Sequence, residues 1–201
     1  MSKRFLYAMA GVAVLLSAAA CMKTASGENA MQARVERGKY LVSIGGCNDC
    51  HTPLKMGPKG PEPDMARMLS GHPESFSIAN GTATASNQWI MTVAASGTAF
   101  SGPWGVSFAA NLTPDENTGL GIWTEDMFVK AVRSGRHMGV SRPILPPMPW
   151  PNVGGLSDDD VKAVYAYLRS IRPIHNRVPD PIPPSGDAVA SNQSGTAGAL
   201  Q

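Results

Sequence analysis

Cys47 and Cys50 stand three positions apart, and His51 follows the second of them directly. Two thiols at this spacing reach the two vinyl groups of one porphyrin, and the adjacent imidazole then lies beneath the iron as its proximal ligand. Cys-x-x-Cys-His thus reads as a site of covalent haem c attachment, through Cys47 and Cys50, with His51 on the metal. A redox-active Cys-x-x-Cys needs a thioredoxin-like βαβ setting, and the helix-rich pattern downstream supplies none. A structural zinc site needs four ligands, and the sequence has neither a second Cys-x-x-Cys nor paired histidines. One haem motif is present, so the expectation is one haem.

An electron carrier is served by a sixth ligand, because iron with both axial sites filled changes valence with little movement. A thioether opposite histidine also favours Fe(II) and raises the potential. Seven methionines follow His51: Met56, Met65, Met68, Met91, Met127, Met138 and Met148. Pro146, Pro147 and Pro149 restrict the backbone around Met148, so its sulfur would be offered by a stiff loop. Met148 could equally be adaptable core filler. Met138 is an alternative, and His137 beside it could offer an imidazole. His72, in a variable loop, and His175, in a Pro-rich tail, are weaker candidates, since a single loop histidine is more often solvated. Trp104, Trp123 and Trp150 can cover haem edges or donate an indole N–H to a propionate. Arg133, Arg136 and Arg142 can pair with propionates or be surface charges.

Three helices are expected to position these groups. Residues 31–46 place Val35, Tyr40 and Leu41 on an apolar face, and Gly45-Gly46 end that helix at the motif. Gly38 within it is tolerable where another helix comes close. Thr124 is an N-cap, with Glu125 and Asp126 in the first turn, Gly135 at the C-terminus, and Phe128, Val129, Ala131 and Val132 facing inward. Ser157 caps the last helix, with Asp160 at its third position and Leu156 placed to staple onto Val161. Its apolar face is Val161, Val164, Tyr165, Leu168 and Ile171, and Pro173 stops it. Residues 53–122, rich in Gly, Pro, Ser, Thr and Asn, are expected to be mostly irregular, with Trp89 to Ala95 a short strand or helical turn.

Lys3 and Arg4, the apolar run from Phe5 to Leu16 and Ala18-Ala19-Ala20 form an export signal. From Phe5 to Ala20 the stretch is about 16 residues, roughly 24 Å of helix and short of a hydrocarbon core of ~30 Å. Cys21 follows directly and is the odd thiol. The segment resembles a bacterial lipoprotein signal, although Ala18 stands where Leu is usual, and lipidation would anchor the chain. Without Lys3 and Arg4 the 17 basic and 15 acidic residues balance, which leaves no basic surplus for nucleic acid. The expected organisation is a signal peptide at 1–20, a tether at 21–30, a folded domain at 31–178, and a tail at 179–201 that is Pro-rich and then disordered.

The order of an N-terminal helix, Cys-x-x-Cys-His, a long loop, a helix, a methionine-bearing loop and a closing helix resembles class I cytochromes c over roughly residues 31–178. Within that class the chain looks similar to monohaem subunits or partners of bacterial periplasmic dehydrogenases. The phrases carrying this likeness are Gly45 to Pro53, Asn111-Leu112-Thr113-Pro114-Asp115, Thr118 to Thr124, Pro146-Pro147-Met148-Pro149-Trp150 and Leu156 to Asp160. The resemblance implies a mainly α, class I fold with a long irregular haem-covering loop. It also selects Met148 as the sixth ligand. The implied role is periplasmic transfer of single electrons from a dehydrogenase toward a cytochrome or oxidase, with no chemistry on a substrate. A peroxidase-like haem enzyme, or a haem-based gas sensor with a labile sixth site, is the alternative.

Overall fold

The computed structural model describes residues 27–78 and 89–184. The export signal, Cys21 and the tail from residue 185 lie outside the described residues. Helix α1 covers residues 27–44. Gly46, at φ 65°, then turns the chain directly into the short helix α2, Cys47–His51, a left-handed conformation that favours glycine. Helices α3 (Glu125–Ser134), α4 (Trp150–Gly154) and α5 (Asp158–Ser170) follow the loop region.

The two long C-terminal helices begin and end for local reasons. The Thr124 hydroxyl accepts from the Met127 N–H at 3.2 Å, and Gly135 closes α3 at φ 66°. The Ser157 hydroxyl accepts from the Asp160 N–H, also at 3.2 Å. Each cap satisfies an otherwise orphaned backbone donor, a contribution of about 1 kcal/mol. Leu156 packs against the core beside α5.

The core lies among α1, α3 and α5. Leu41 and Val42 meet Phe128 and Val132, and Val161, Val164 and Leu168 of α5 complete it with Leu69 and Leu120 from the loops. Each such side chain removed from water contributes roughly 1.5–3 kcal/mol. Tyr40 does not belong to the inward face. It is 55 % exposed and lies under the Arg37 guanidinium, 5.6 Å from the ring centroid. Gly38 takes its place at the helix crossing, and Arg37 forks onto Asp160 at 2.8 and 3.1 Å.

The region expected to be irregular holds two small antiparallel sheets. Strands β1 (Leu54–Gly57) and β2 (Gly60–Pro63) form a hairpin, with Leu54 opposite Pro63 and Gly57 opposite Gly60. Strands β3 (Thr92–Val93), β4 (Ala99–Gly102) and β5 (Gly105–Phe108) form the second, in that order. Of the stretch Trp89 to Ala95, only Thr92–Val93 is strand, and Trp89 and Ile90 are exposed. After α5 the chain returns across this region. Ile182 exchanges both backbone hydrogen bonds with Val106, at 2.8 and 2.9 Å, so residues 179–184 dock on β5. The architecture is mainly α, with small sheets elaborating the long connection.

Candidate haem site

Cys47, Cys50 and His51 share α2, so one helical turn holds all three. Cys47 packs against the apolar core, as do the partly buried Met68, Leu112 and Trp123. Burial holds the Cys47 thiol above its ordinary range, and that of Cys50 likewise. Neither thiol is shifted downward as a redox-active thiol is. Among the described residues, no three His, Cys, Asp or Glu side chains are gathered as a metal cage.

His51 is the most constrained member of the motif. It is 8 % exposed, and its Nδ1–H donates to the Ala110 carbonyl at 2.8 Å. Burial moves its pKa downward, so the ring is neutral. With the proton on Nδ1, the lone pair sits on Nε2, oriented and made more basic by the carbonyl partner. A neutral imidazole with one nitrogen tied and the other free is the donor that a haem iron takes, and the residues of α2 therefore fit haem c.

The carbonyl that orients His51 is itself held by a buried polar network. Asn111 accepts from the Thr113 N–H and hydroxyl, at 3.0 and 2.7 Å, and its amide donates to the Ile174 carbonyl at 2.8 Å. Asn176, 2 % exposed, donates to the carbonyls of Ser70 and His72 at 2.7 and 2.8 Å. Leu112 N–H donates to Leu69, and Gly71 N–H to the His51 carbonyl. The Asn111–Thr113 phrase thus has a structural task that a single sequence does not display. Asn176 had no sequence signal beyond its position in the Pro-rich segment.

Met148 lies half-buried on the loop between α3 and α4. The loop starts from the end of α3, where Ile144 N–H donates to Gly135 at 2.8 Å, and closes where Trp150 N–H donates to Met148 at 2.9 Å. The Trp150 ring covers Gly135 so closely that a Cβ there would lie 2.4 Å from it. Met138 sits on the turn His137–Gly139 with φ 54°. His137 meets the Trp123 ring edge to face at 5.0 Å. Trp104 lies on the β4–β5 turn, and its indole N–H donates to Ser107 at 3.2 Å rather than standing free.

His72 is fully buried, not solvated. Its Nε2–H donates to the Phe76 carbonyl at 2.8 Å, and Nδ1 accepts from the Thr98 hydroxyl at 3.0 Å. Both nitrogens are occupied, which makes it a packing residue. His175 is exposed beside Asp115 at 3.5 Å. Arg133 reaches the Gly154 carbonyl and Asp158, and Arg136 donates to the Ser141 carbonyl, so both serve loop and helix ends.

No family model matches the chain. It is 31% identical over 148 residues to the gluconate 2-dehydrogenase cytochrome c subunit of Pantoea cypripedii, covering 73% of this chain and 25% of that one. It is 29% identical over 160 residues to the cytochrome c subunit of the quinone alcohol dehydrogenase of Gluconobacter oxydans, covering 78% and 26%. The fructose dehydrogenase cytochrome subunit of Gluconobacter japonicus is 28% identical over 141 residues, covering 70% and 22%. The chain spans about a quarter of the length of these relatives. Together with the geometry of α2, these likenesses support a haem-binding, cytochrome c-like chain, similar to dehydrogenase cytochrome c subunits.

Proposed function

We propose that this chain is an exported monohaem cytochrome c that carries single electrons between protein partners, from a dehydrogenase toward the respiratory chain. The observation that carries the reading is the buried His51 ring, fixed through Nδ1 on Ala110 within a Cys-x-x-Cys-His helix. Bound haem c would supply a one-electron Fe(III)/Fe(II) couple. Cys47 and Cys50 would hold it by two thioethers, and His51 Nε2 and the Met148 thioether would ligate the iron. Trp123, Trp150 and Trp104 would cover haem edges, Trp104 with its indole N–H held by Ser107. The chain breaks no substrate bond. It sets the potential and leaves a haem edge for transient docking, which is typically small in area and steered by charge.

The relatives' dehydrogenases suggest the class of donor, and the acceptor is a cytochrome or an oxidase. The proposed location is the periplasm, with Cys21 lipidated after cleavage at Ala20 as a membrane anchor. An intact mass showing an unmodified N-terminal Cys21 would defeat the anchor and leave a diffusing carrier. The central test is covalent attachment. Denatured protein should retain its haem and give the pyridine haemochrome of a two-thioether haem c, and Cys47→Ser or Cys50→Ser should weaken or strip it. Free haem in an acid–acetone extract of the parent protein would reject the assignment. Rapid CO binding by the reduced parent would point to an open-site enzyme or sensor instead.

A further inference from the structure

Strand β5 is held on both edges. Phe108 to Gly105 pair with Ala99 to Gly102 of β4 on one side, and Ile182 of the returning chain exchanges two backbone bonds with Val106 on the other. Gly105, at φ 89°, makes this passage possible, because a Cβ there would lie 2.1 Å from the Ile182 carbonyl oxygen. A side chain on β5 is therefore presented from a fixed backbone.

That side chain is Ser107, 7 % exposed. Its Oγ accepts from the Trp104 indole N–H at 3.2 Å. The single hydroxyl proton has two carbonyls in reach, Phe100 at 3.4 Å and Pro146, which is much nearer. Phe100 belongs to the ladder partner. Pro146 belongs to the methionine loop, two residues before Met148. As a proline, Pro146 has no N–H with which to fix that loop by itself. The indole ring lies over Gly102, where a Cβ would meet it at 2.6 Å, so the donor is fixed as well.

We propose that Ser107, oriented by Trp104, is a positioning residue that braces the Met148 loop and keeps its sulfur on the iron. This rests on Met148 being the sixth ligand. The mechanism is physical and local. The loop leaves α3 through Ile144 and rejoins the helical frame at Trp150. Between these anchors, Pro146 is tied by side chain to a strand far away in sequence. An indole N–H donating into Oγ also polarises the hydroxyl, so the bond to Pro146 is strengthened by its neighbour.

The experiment uses the haem-loaded full chain and three readouts: the near-infrared sulfur-to-iron band, the rate of CO binding to reduced protein, and amide exchange at Trp150. Ser107→Ala should keep the band at neutral pH but bind CO roughly five- to tenfold faster, the change expected from losing one hydrogen bond. It should also speed exchange of the Trp150 amide, with α5 amides unchanged. Trp104→Phe keeps a ring over Gly102 and should give the same changes at smaller size. Ser107→Thr, which keeps the hydroxyl, should restore the parent rate. Trp104→Phe also serves as the probe if Ser107→Ala does not accumulate. A Ser107→Ala protein with a lower melting temperature but parent CO rate and parent Trp150 exchange would overturn the brace. If Met148→Ala keeps the band, the sixth-ligand reading fails and the brace fails with it. If Met148→Ala loses the band while Ser107→Ala and Trp104→Phe leave the CO rate unchanged, only the brace fails.

Discussion

Gly38 of α1 and Ala163 of α5 meet backbone to backbone: a Cβ on Gly38 would lie 1.9 Å from the Ala163 carbonyl oxygen and 2.8 Å from Tyr167 Cβ. A glycine inside a helix costs about 1 kcal/mol against alanine, and here that cost permits the crossing that brings Leu41 and Val42 onto Val161, Val164 and Leu168.

Gly38→Ala should therefore lose stability despite its better helix propensity. The obstacle is backbone, which cannot rotate aside, so the helices must separate and pull Arg37 from Asp160. A net loss of about 1–3 kcal/mol is expected from overpacking. Gly27→Ala, with nothing within 4 Å of its Cβ, should change stability by less than ~0.5 kcal/mol. Urea midpoints followed by far-ultraviolet circular dichroism compare the two. Equal midpoints would show that the crossing is slack.

His72 predicts a dependence on pH. Burial is the main cause pushing its pKa below the ordinary 6.5, with the Arg67 charge acting in the same direction, and the ring is neutral in the fold. Below 6.5 the unfolded chain binds a proton that the folded chain refuses, so stability is complete above that pH and falls as acid is added. One proton can contribute at most about 1.4 kcal/mol per pH unit. His137 is shifted downward too, by burial first and then by Arg142, and adds a slope of the same sign. Urea midpoints between pH 5 and 7.5 should fall toward acid in the parent. His72→Gln should flatten that fall in part, leaving the contributions of the other two rings that burial shifts downward, His51 and His137. An unaltered slope in His72→Gln would mean that the buried ring accepts its proton without penalty.

The parts of the fold legible in the sequence were those decided within a few residues. Thr124 and Ser157 each cap the turn that follows them, Gly135 closes the turn before it, and the Gly45-Gly46 stop needs only the backbone freedom of glycine at Gly46. Pairings that close over distance left no local trace. The strands around Ser107 are four residues long, with no sustained alternation, and their edge partner Ile182 arrives from beyond the last helix. Tyr40 misled because an aromatic on a helical face can stack on a neighbouring arginine as readily as enter the core. His72 misled because its partners, Thr98 and the Phe76 carbonyl, come together only after the loop has folded. The same limit hid Asn176, whose amide unites segments about a hundred positions earlier in the chain.

The sixth ligand is the sharpest prediction, because each candidate leaves a different signature. Met148 is half-buried on a loop tied at Ile144, Pro146 and Trp150, and a tied loop offers its thioether without a large ordering cost. Oxidised protein should show the weak near-infrared band of sulfur bound to iron, and Met148→Ala should abolish it, lower the potential and open the reduced iron to CO. Met138→Ala should change little, since that residue occupies a left-handed position on a turn whose hydrogen bonds close on themselves, Gly139 N–H to Arg136 and Ser141 N–H to His137. The opposite pair of results, with the band kept in Met148→Ala and lost in Met138→Ala, would move the ligand to the turn after α3. A bis-imidazole spectrum indifferent to both substitutions would make His137 the ligand, and its ring would then have to leave the edge of Trp123, where it packs at 5.0 Å. The Pro-flanked methionine would in that case be a packing residue only.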